Sequence, residues 1–385
     1  MTYSWGAIFF LTGLAVYALF GSPTPDHYGW PEYVVGLLLL LAVRFPDLKR
    51  DGILLGCAAG GFFIPALIGA VHGAVFTDIV RDMVPFLFLF LVAVYRPHIE
   101  ELGIRFVWFV AGMGFVFSVR ALVPVWSELI QDNVRMWGAP PDLLYLANSP
   151  EVLFAALWLM GAGFASLFYD IRILRGLVLV VLSLIPLLSM VMMMQRAGAG
   201  AYAASLLILL FGLLVYSPKR FAVAILCLAG VVVAVSPLVL PVVDALVWKT
   251  HLVGFNSRVQ EWGKVLDLVS QDWVHALFGY GWGARFENPA VGGISVLYTH
   301  SLPSSLLLKT GWLGTGIVIT GLGMSLARAL PDIFGNRRLF WALVFPFLIA
   351  AGIYASYKSL GFGLILLIFF AYRHQKLERD APPVA

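Results

Sequence analysis

Apolar runs of about twenty residues follow one another through most of this chain, and that feature leaves few folds open. Among them are FLTGLAVYALF, VVGLLLLLAV, LVLVVLSLIPLLSMVMMM and LGFGLILLIFF. The runs are continuous, whereas the strands of a membrane barrel alternate in polarity. In lipid every backbone N–H and C=O must find its partner inside the protein, so a continuous apolar run of this length reads as a spanning helix. With 61% hydrophobic and only 12% charged residues over 385 positions, and a mean hydropathy of +0.91, the chain is too apolar for a soluble domain of its size. The expected fold is all-α: a polytopic membrane bundle forming one domain over residues 1–385. Cys57 and Cys227 lie in separate apolar runs, which points to neither a disulfide framework nor a zinc site.

Read against a hydrocarbon core of about 30 Å, the sequence places spans at 4–21, 32–45, 52–72, 76–95, 103–126 and 152–169, then at 173–194, 198–216, 221–247, 302–326, 339–354 and 359–372. That makes about 12 transmembrane helices. The nearly loopless pairs at 52–95 and 173–216 also admit ten or eleven. Met1–Phe20 lacks a basic start and a small-residue cleavage site, so it reads as a span rather than a cleavable signal.

Lysine and arginine set the orientation. With the N-terminus inside, 15 of the 25 basic residues fall in inner segments, including Arg44, Lys49, Arg50, Arg172, Arg175, Lys219, Arg220, Arg337 and Arg338. Both termini are then cytoplasmic, and 248–300 becomes a long outer loop between spans nine and ten. The remaining cations stand out. Arg81, Arg135, Arg196, Lys249, Arg258, Lys264, Arg285 and Lys358 lie on the outer side, and Arg120 and Lys309 lie within spans. Bundle packing does not require them, and an ionisable group at membrane depth points to function unless it is paired. Arg196, at the turn in MMMQRAGAG, is the strongest anion-binding candidate among them. Arg81 sits between Asp78 and Asp82 and reads as locally paired.

At about 50 residues, the outer loop is too long for a connector. Its segment NSRVQEWGKVLDLVSQDW repeats apolar residues at Val259, Trp262, Leu266, Val269 and Trp273, and Ser257 with Gln260 fits a capping box. One expectation is an amphipathic helix lying on the bilayer; a sharper one adds an anion docked at its N-terminus beside Arg258. LFGYGWGARF carries three alternate glycines but lacks the spacing and the Lys-Ser/Thr of a phosphate loop, so it reads as a tight turn of close approach. In THSLPSSLLLKTGWLG, Ser301 can cap the next helix and Pro303 is tolerated in its first turn. His300 is thereby placed at the outer mouth of that helix, either as an interfacial hydrogen-bonding group or as a general base.

The ordered set of QRAGAG, SRVQEWGKVL, FGYGWGARF and THSLPSSLLLKTGWLG resembles the C-terminal half of the bacterial O-antigen ligase and O-antigen polymerase superfamily, over about residues 185–325. Gln195 stands where that family usually has serine, and Ser301 where it has asparagine, which leaves the subgroup open. The resemblance implies a GT-C-like membrane glycosyltransferase of the bacterial inner membrane, inverting and metal-independent, with no cofactor and no nucleic-acid partner. Its donor is a polyprenyl-pyrophosphate-linked glycan of the undecaprenyl type, and its acceptor a glycan or lipid-linked sugar hydroxyl. On this reading His300 is the catalytic base, Arg196 and Arg258 bind the pyrophosphate, and Arg285, Lys309 and Arg120 are further substrate-binding candidates. The sparse outer surface, 131–151 and the loop after Trp248, leans towards a surface-polysaccharide polymerase over a ligase to lipid A core. Two further classes are a transporter or flippase of lipid-linked oligosaccharide, and a scaffolding subunit.

Overall fold

The computed structural model describes residues 3–23, 29–125, 141–230, 233 and 256–372. It is a helical membrane protein: among the described residues, six helices are long and apolar enough to cross a bilayer. In chain order the helices are α1 (Trp5–Phe20), α2 (Trp30–Ala42), α3 (Leu48–Val71), α4 (Phe76–Phe88), α5 (Val92–Leu102) and α6 (Ile104–Leu122). Then come α7 (Pro141–Ala147), α8 (Pro150–Phe168), α9 (Ile173–Met192), α10 (Arg196–Tyr216) and α11 over 218–230. The last group is α12 (Asn256–Val269), α13 (Trp273–Phe278), α14 (Leu302–Gly335), α15 (Arg337–Gly352) and α16 (Leu360–Ala371), with a two-stranded ribbon of β1 (Phe286–Asn288) and β2 (Ile294–Val296) before α14. The remainder of the ninth expected span, together with Arg135, Lys249 and the C-terminal basic residues, lies outside the described residues.

The chain divides into two compact units. The first comprises residues 1–110, 149–151 and 255–385. Within it α1 and α2 form a hairpin, α3 packs on α14, and α16 touches α4, α5, α14 and α15. Every residue of α16 is buried. Its sequence is apolar all round, as a helix enclosed by neighbours requires. Ser359 starts it, its Oγ accepting the Phe362 N–H at 3.2 Å. At 12 residues the helix rises about 18 Å, short of a full crossing, so the 3₁₀ turn before it (Ala355–Lys358) is held within protein. The second unit comprises residues 111–148 and 152–254. It holds a cluster of Phe164, Leu210, Leu213 and Ala224, and the Arg220 guanidinium donates to the Phe168 carbonyl.

The structure changes three sequence expectations. The span at 76–95 is divided: α4 ends at Phe88, residues 89–91 turn, and α5 continues to Leu102. The span at 302–326 belongs to a 34-residue element interrupted at Gly311, whose φ of 62° and ψ of −172° leave the helical region. The portion after the break is long enough to cross alone, at roughly 36 Å, and 302–310 forms a separate short helix carrying Lys309.

The third change concerns α12, which is not simply a bilayer-surface helix. Val265 and Val269 are fully buried with Phe286, Leu307 and Leu308, and Trp262 and Leu268 pack against them. Val259, Leu266 and Trp273, three of the five apolar positions expected to lie together, are instead exposed. The helix begins at Asn256, so Ser257 lies in its first turn and the Ser257–Gln260 box is not its cap. The inward edge runs through positions 261, 265 and 269, one helical turn apart, and places a glutamate in the interior.

Candidate active site

The glycine turn expected at 277–286 holds the segment before α14 against the helices. Gly279, Gly281 and Gly283 all have left-handed φ, at 70°, 83° and 82°. A Cβ at Gly281 would come within 2.1 Å of the Gly69 nitrogen, and one at Gly279 within 2.6 Å of the Gly311 nitrogen. Only glycine satisfies both the conformation and the contact. The turn also takes up backbone groups at the helix break: the Tyr280 and Gly281 N–H groups donate to the Leu308 and Lys309 carbonyls at 2.9 and 3.0 Å. Trp282 N–H donates to the Pro65 carbonyl of α3 at 2.9 Å, and its indole N–H to the Phe62 carbonyl at 3.2 Å.

Against this platform sits a histidine–carboxylate pair. Glu261 is 1% exposed and accepts three hydrogen bonds. The backbone N–H of His300 donates at 2.7 Å, His300 Nδ1 at 2.6 Å, and the Asn288 amide at 2.8 Å. Burial pushes the Glu261 carboxyl up, and the donors from His300 and Asn288 outweigh it, so it titrates below the usual carboxylate range. An ionised carboxylate only accepts, which puts the imidazole proton on Nδ1 and leaves Nε2 with its lone pair in the neutral ring. The His300 side chain keeps 14% of its surface exposed and meets the Tyr298 ring edge-on at 5.5 Å.

Local sequence fixes the backbone that carries His300. Ser301 caps α14 as expected, its Oγ accepting the Ser304 N–H at 3.3 Å. Thr299 Oγ1 donates to the Ser301 carbonyl at 2.9 Å and accepts from Ser304 Oγ at 2.8 Å. The Tyr357 hydroxyl donates to the Thr299 carbonyl at 3.2 Å. Asn288 is held by the ribbon, in which it pairs with Ile294, and its own oxygen accepts the Ala290 N–H at 2.8 Å.

The candidate cations are distributed unequally. Arg258 is half-buried in the first turn of α12, three positions and so about one turn before Glu261. Arg285 is bidentate to Asp78, at 2.7 and 3.0 Å, with Arg81 at 3.8 Å from the same carboxylate. Lys309 is fully buried, bonded to Asp82 at 2.6 Å and to the Ala284 carbonyl. Lys358 also bonds Asp82, at 3.1 Å, and Gly283 N–H donates to that carboxylate at 2.9 Å. Thus Arg258 stands about one turn before the glutamate that holds His300, and Arg285 and Lys309 have carboxylate partners on α4. Arg196 and Arg120 belong to the second unit. Arg196 is the first residue of α10, after a turn with Met194 at φ 53°. Arg120 is in the last turn of α6, its guanidinium 5.5 Å from the Phe117 ring.

Glu261, Asn288, Asp82 and the pairing of Lys358 were missed from sequence. For Glu261 a signal existed, since it stands one and two turns before Val265 and Val269. For the α4 carboxylates the only signal was their adjacency to Arg81. Compared with protein-family models and with curated proteins, the chain matches none.

Proposed function

We propose that this protein is a membrane glycosyltransferase that moves a glycan from a polyprenyl-pyrophosphate donor to a sugar hydroxyl at the outer face of a bacterial inner membrane. The observation that carries the reading is the Glu261–His300 pair, a buried carboxylate fixing the imidazole tautomer at the mouth of α14. A sugar hydroxyl is too weak an acid to attack unaided. The Nε2 lone pair accepts its proton as the hydroxyl oxygen bonds the anomeric carbon, and the bond from that carbon to the pyrophosphate oxygen breaks on the opposite face, inverting the centre. A positioned base of this kind contributes about 10²- to 10⁴-fold. The bonding pair leaves with the pyrophosphate, whose growing charge Arg258 stabilises through guanidinium hydrogen bonds. A bundle of about twelve spans of the GT-C-like type completes the proposal, with polymerisation of a surface polysaccharide favoured over ligation to lipid A core because the expected outer segments, 131–151 and the loop after Trp248, are short in the sequence for a large acceptor-binding domain.

The test is turnover by the purified protein given only lipid-linked repeat units. A ladder of longer lipid-linked products supports the polymerase, and product only after adding lipid A core supports the ligase. No product with either acceptor refutes the reading. Arg258→Lys should impair transfer severely, because an ammonium cannot reproduce the planar fork; full activity in that variant removes Arg258 from the clamp. The interruptions at Gly311 and at 89–91 favour a second reading, transport of a lipid-linked oligosaccharide, since broken helices line transporter sites. Movement of labelled donor across liposomes without glycosidic bond formation would select it.

A further inference from the structure

The charges around Asp82 do not cancel. Asp82, 4% exposed, is the carboxylate that both Lys309 and Lys358 bond. Two ammonium groups and one carboxylate leave a net positive charge in a place where uncompensated charge is costly. The two lysines are not equivalent. Lys309 is enclosed, bonded to Asp82 and the Ala284 carbonyl, and it holds the glycine turn to α4. Lys358 keeps 10% of its side-chain surface, lies 6.0 Å over the Tyr298 ring, and with Asp82, Tyr357 and Ser305 forms the polar part of a crevice otherwise lined by apolar side chains such as Phe86 and Trp282. The base is a neighbour of that arrangement, since His300 meets the same Tyr298 ring at 5.5 Å. The crevice is also bordered by the first turn of α14, a helix N-terminus whose dipole favours negative charge. The crevice is narrow, with room for about one water, so a phosphate must meet Lys358 at its rim.

We propose that Lys358, held by Asp82 and backed by Lys309, is a phosphate-binding subsite beside Tyr298, whose ring His300 also meets, and that it takes a phosphate or diphosphate of a lipid-linked substrate. The assignment rests on the glycosyltransferase reading for its substrate, but the binding of the anion does not. Arg258 does not line this crevice, so the subsite is additional to the Arg258 clamp. A polymerase has use for two such places, one for each of two pyrophosphate-linked substrates.

The experiment measures the melting temperature of the purified full-length protein with inorganic pyrophosphate, with phosphatidylglycerol micelles and with sulfate. It compares wild type, Lys358→Gln, Lys358→Arg and Lys309→Gln. Pyrophosphate should stabilise wild type and Lys358→Arg and fail to stabilise Lys358→Gln, while the basal melting temperature of Lys358→Gln stays close to wild type. A response to phosphatidylglycerol alone assigns the subsite to a bilayer headgroup and overturns the substrate assignment. Equal stabilisation of wild type and Lys358→Gln, or equal stabilisation by sulfate, overturns the subsite. Turnover is read in parallel, where Lys358→Gln should raise donor or acceptor KM at least tenfold with kcat within about threefold. If transfer occurs and Lys358→Gln leaves KM unchanged, the subsite fails and the glycosyltransferase stands. If pyrophosphate protection depends on Lys358 but no transfer is seen, the reverse holds.

Discussion

Glu261 and Asp82 are both buried carboxylates of the first unit, and the protein surrounds them differently. Glu261 receives an imidazole N–H, a backbone N–H and an amide, all donors that carry no fixed charge when the imidazole is neutral. Asp82 receives two ammonium groups and a backbone N–H. The first arrangement leaves a partner able to change its protonation state; the second neutralises the carboxylate and leaves charge over. The difference separates a place suited to proton transfer from one suited to holding an anion or fastening a loop.

The largest expected effect breaks the first centre. His300→Ala removes the proton acceptor while leaving Glu261 its Asn288 and backbone donors, so transfer should fall by about 10²- to 10⁴-fold with the melting temperature nearly unchanged. Near-wild-type turnover in membranes would show that the pair is structural. Asp82→Asn attacks the second centre and should act on folding. It leaves two buried ammonium groups facing a neutral amide, and removing one partner of a buried charged set costs about 3–5 kcal/mol. Denaturation in detergent would check this, and Asp82→Asn combined with Lys309→Met should recover part of the loss. A single variant as stable as wild type would mean that water, not Asp82, compensates the lysines.

The two centres differ also in how far they could be read from the sequence. The helices were legible because runs such as 177–194 and 360–370 are apolar beyond any soluble alternative. Ser301 as cap and the left-handed glycines at 279, 281 and 283 followed from local chemistry, which acts over a few residues. The inward edge of α12 did not follow. Its two candidate stripes share a helical period, and Phe286, Leu307 and Leu308, about twenty to forty positions away, decide between them. The same holds for Asp82, whose partners Gly283, Lys309 and Lys358 lie more than two hundred positions along the chain. The break at Gly311 was hidden because the lost helical partners are replaced by N–H groups of Tyr280 and Gly281, a tertiary compensation with no local mark.

Glu261→Gln is expected to have a smaller effect than loss of His300, because it removes only the charge that orients the ring. A hydrogen bond to a charged group is worth about 1.5–3 kcal/mol, so kcat should fall by about 10- to 150-fold, with Glu261→Asp recovering part of it and substrate KM unchanged. Acid pH provides an independent readout. The folded-state carboxyl of Glu261 lies below its ordinary value, so its stabilisation is complete above the unfolded value near 4.3 and is lost as pH falls through the lower folded one. The melting temperature of wild type should therefore decline over that acid interval more steeply than that of Glu261→Gln. Parallel curves would mean that the carboxylate is not held by His300 and Asn288 in solution.

The smallest effect sharpens the contrast at its edge, where Arg285 belongs by sequence to the substrate-binding candidates and by geometry to the fastening of the loop. Its guanidinium is bidentate to Asp78 but the side chain is about half exposed, at 48%. Solvent screens such a pair, so its worth is in the range of about 0–1 kcal/mol. Asp78 also keeps Arg81 at 3.8 Å when Arg285 is removed, which limits the cost of leaving that carboxylate behind. Arg285→Gln should consequently lower stability by no more than about 1 kcal/mol and leave kcat/KM within about threefold of wild type. A loss of tenfold or more at unchanged stability, about 1.4 kcal/mol in the transition state, would move Arg285 from the loop fastening into the binding of substrate, and would place both α4 carboxylates beside the reacting groups.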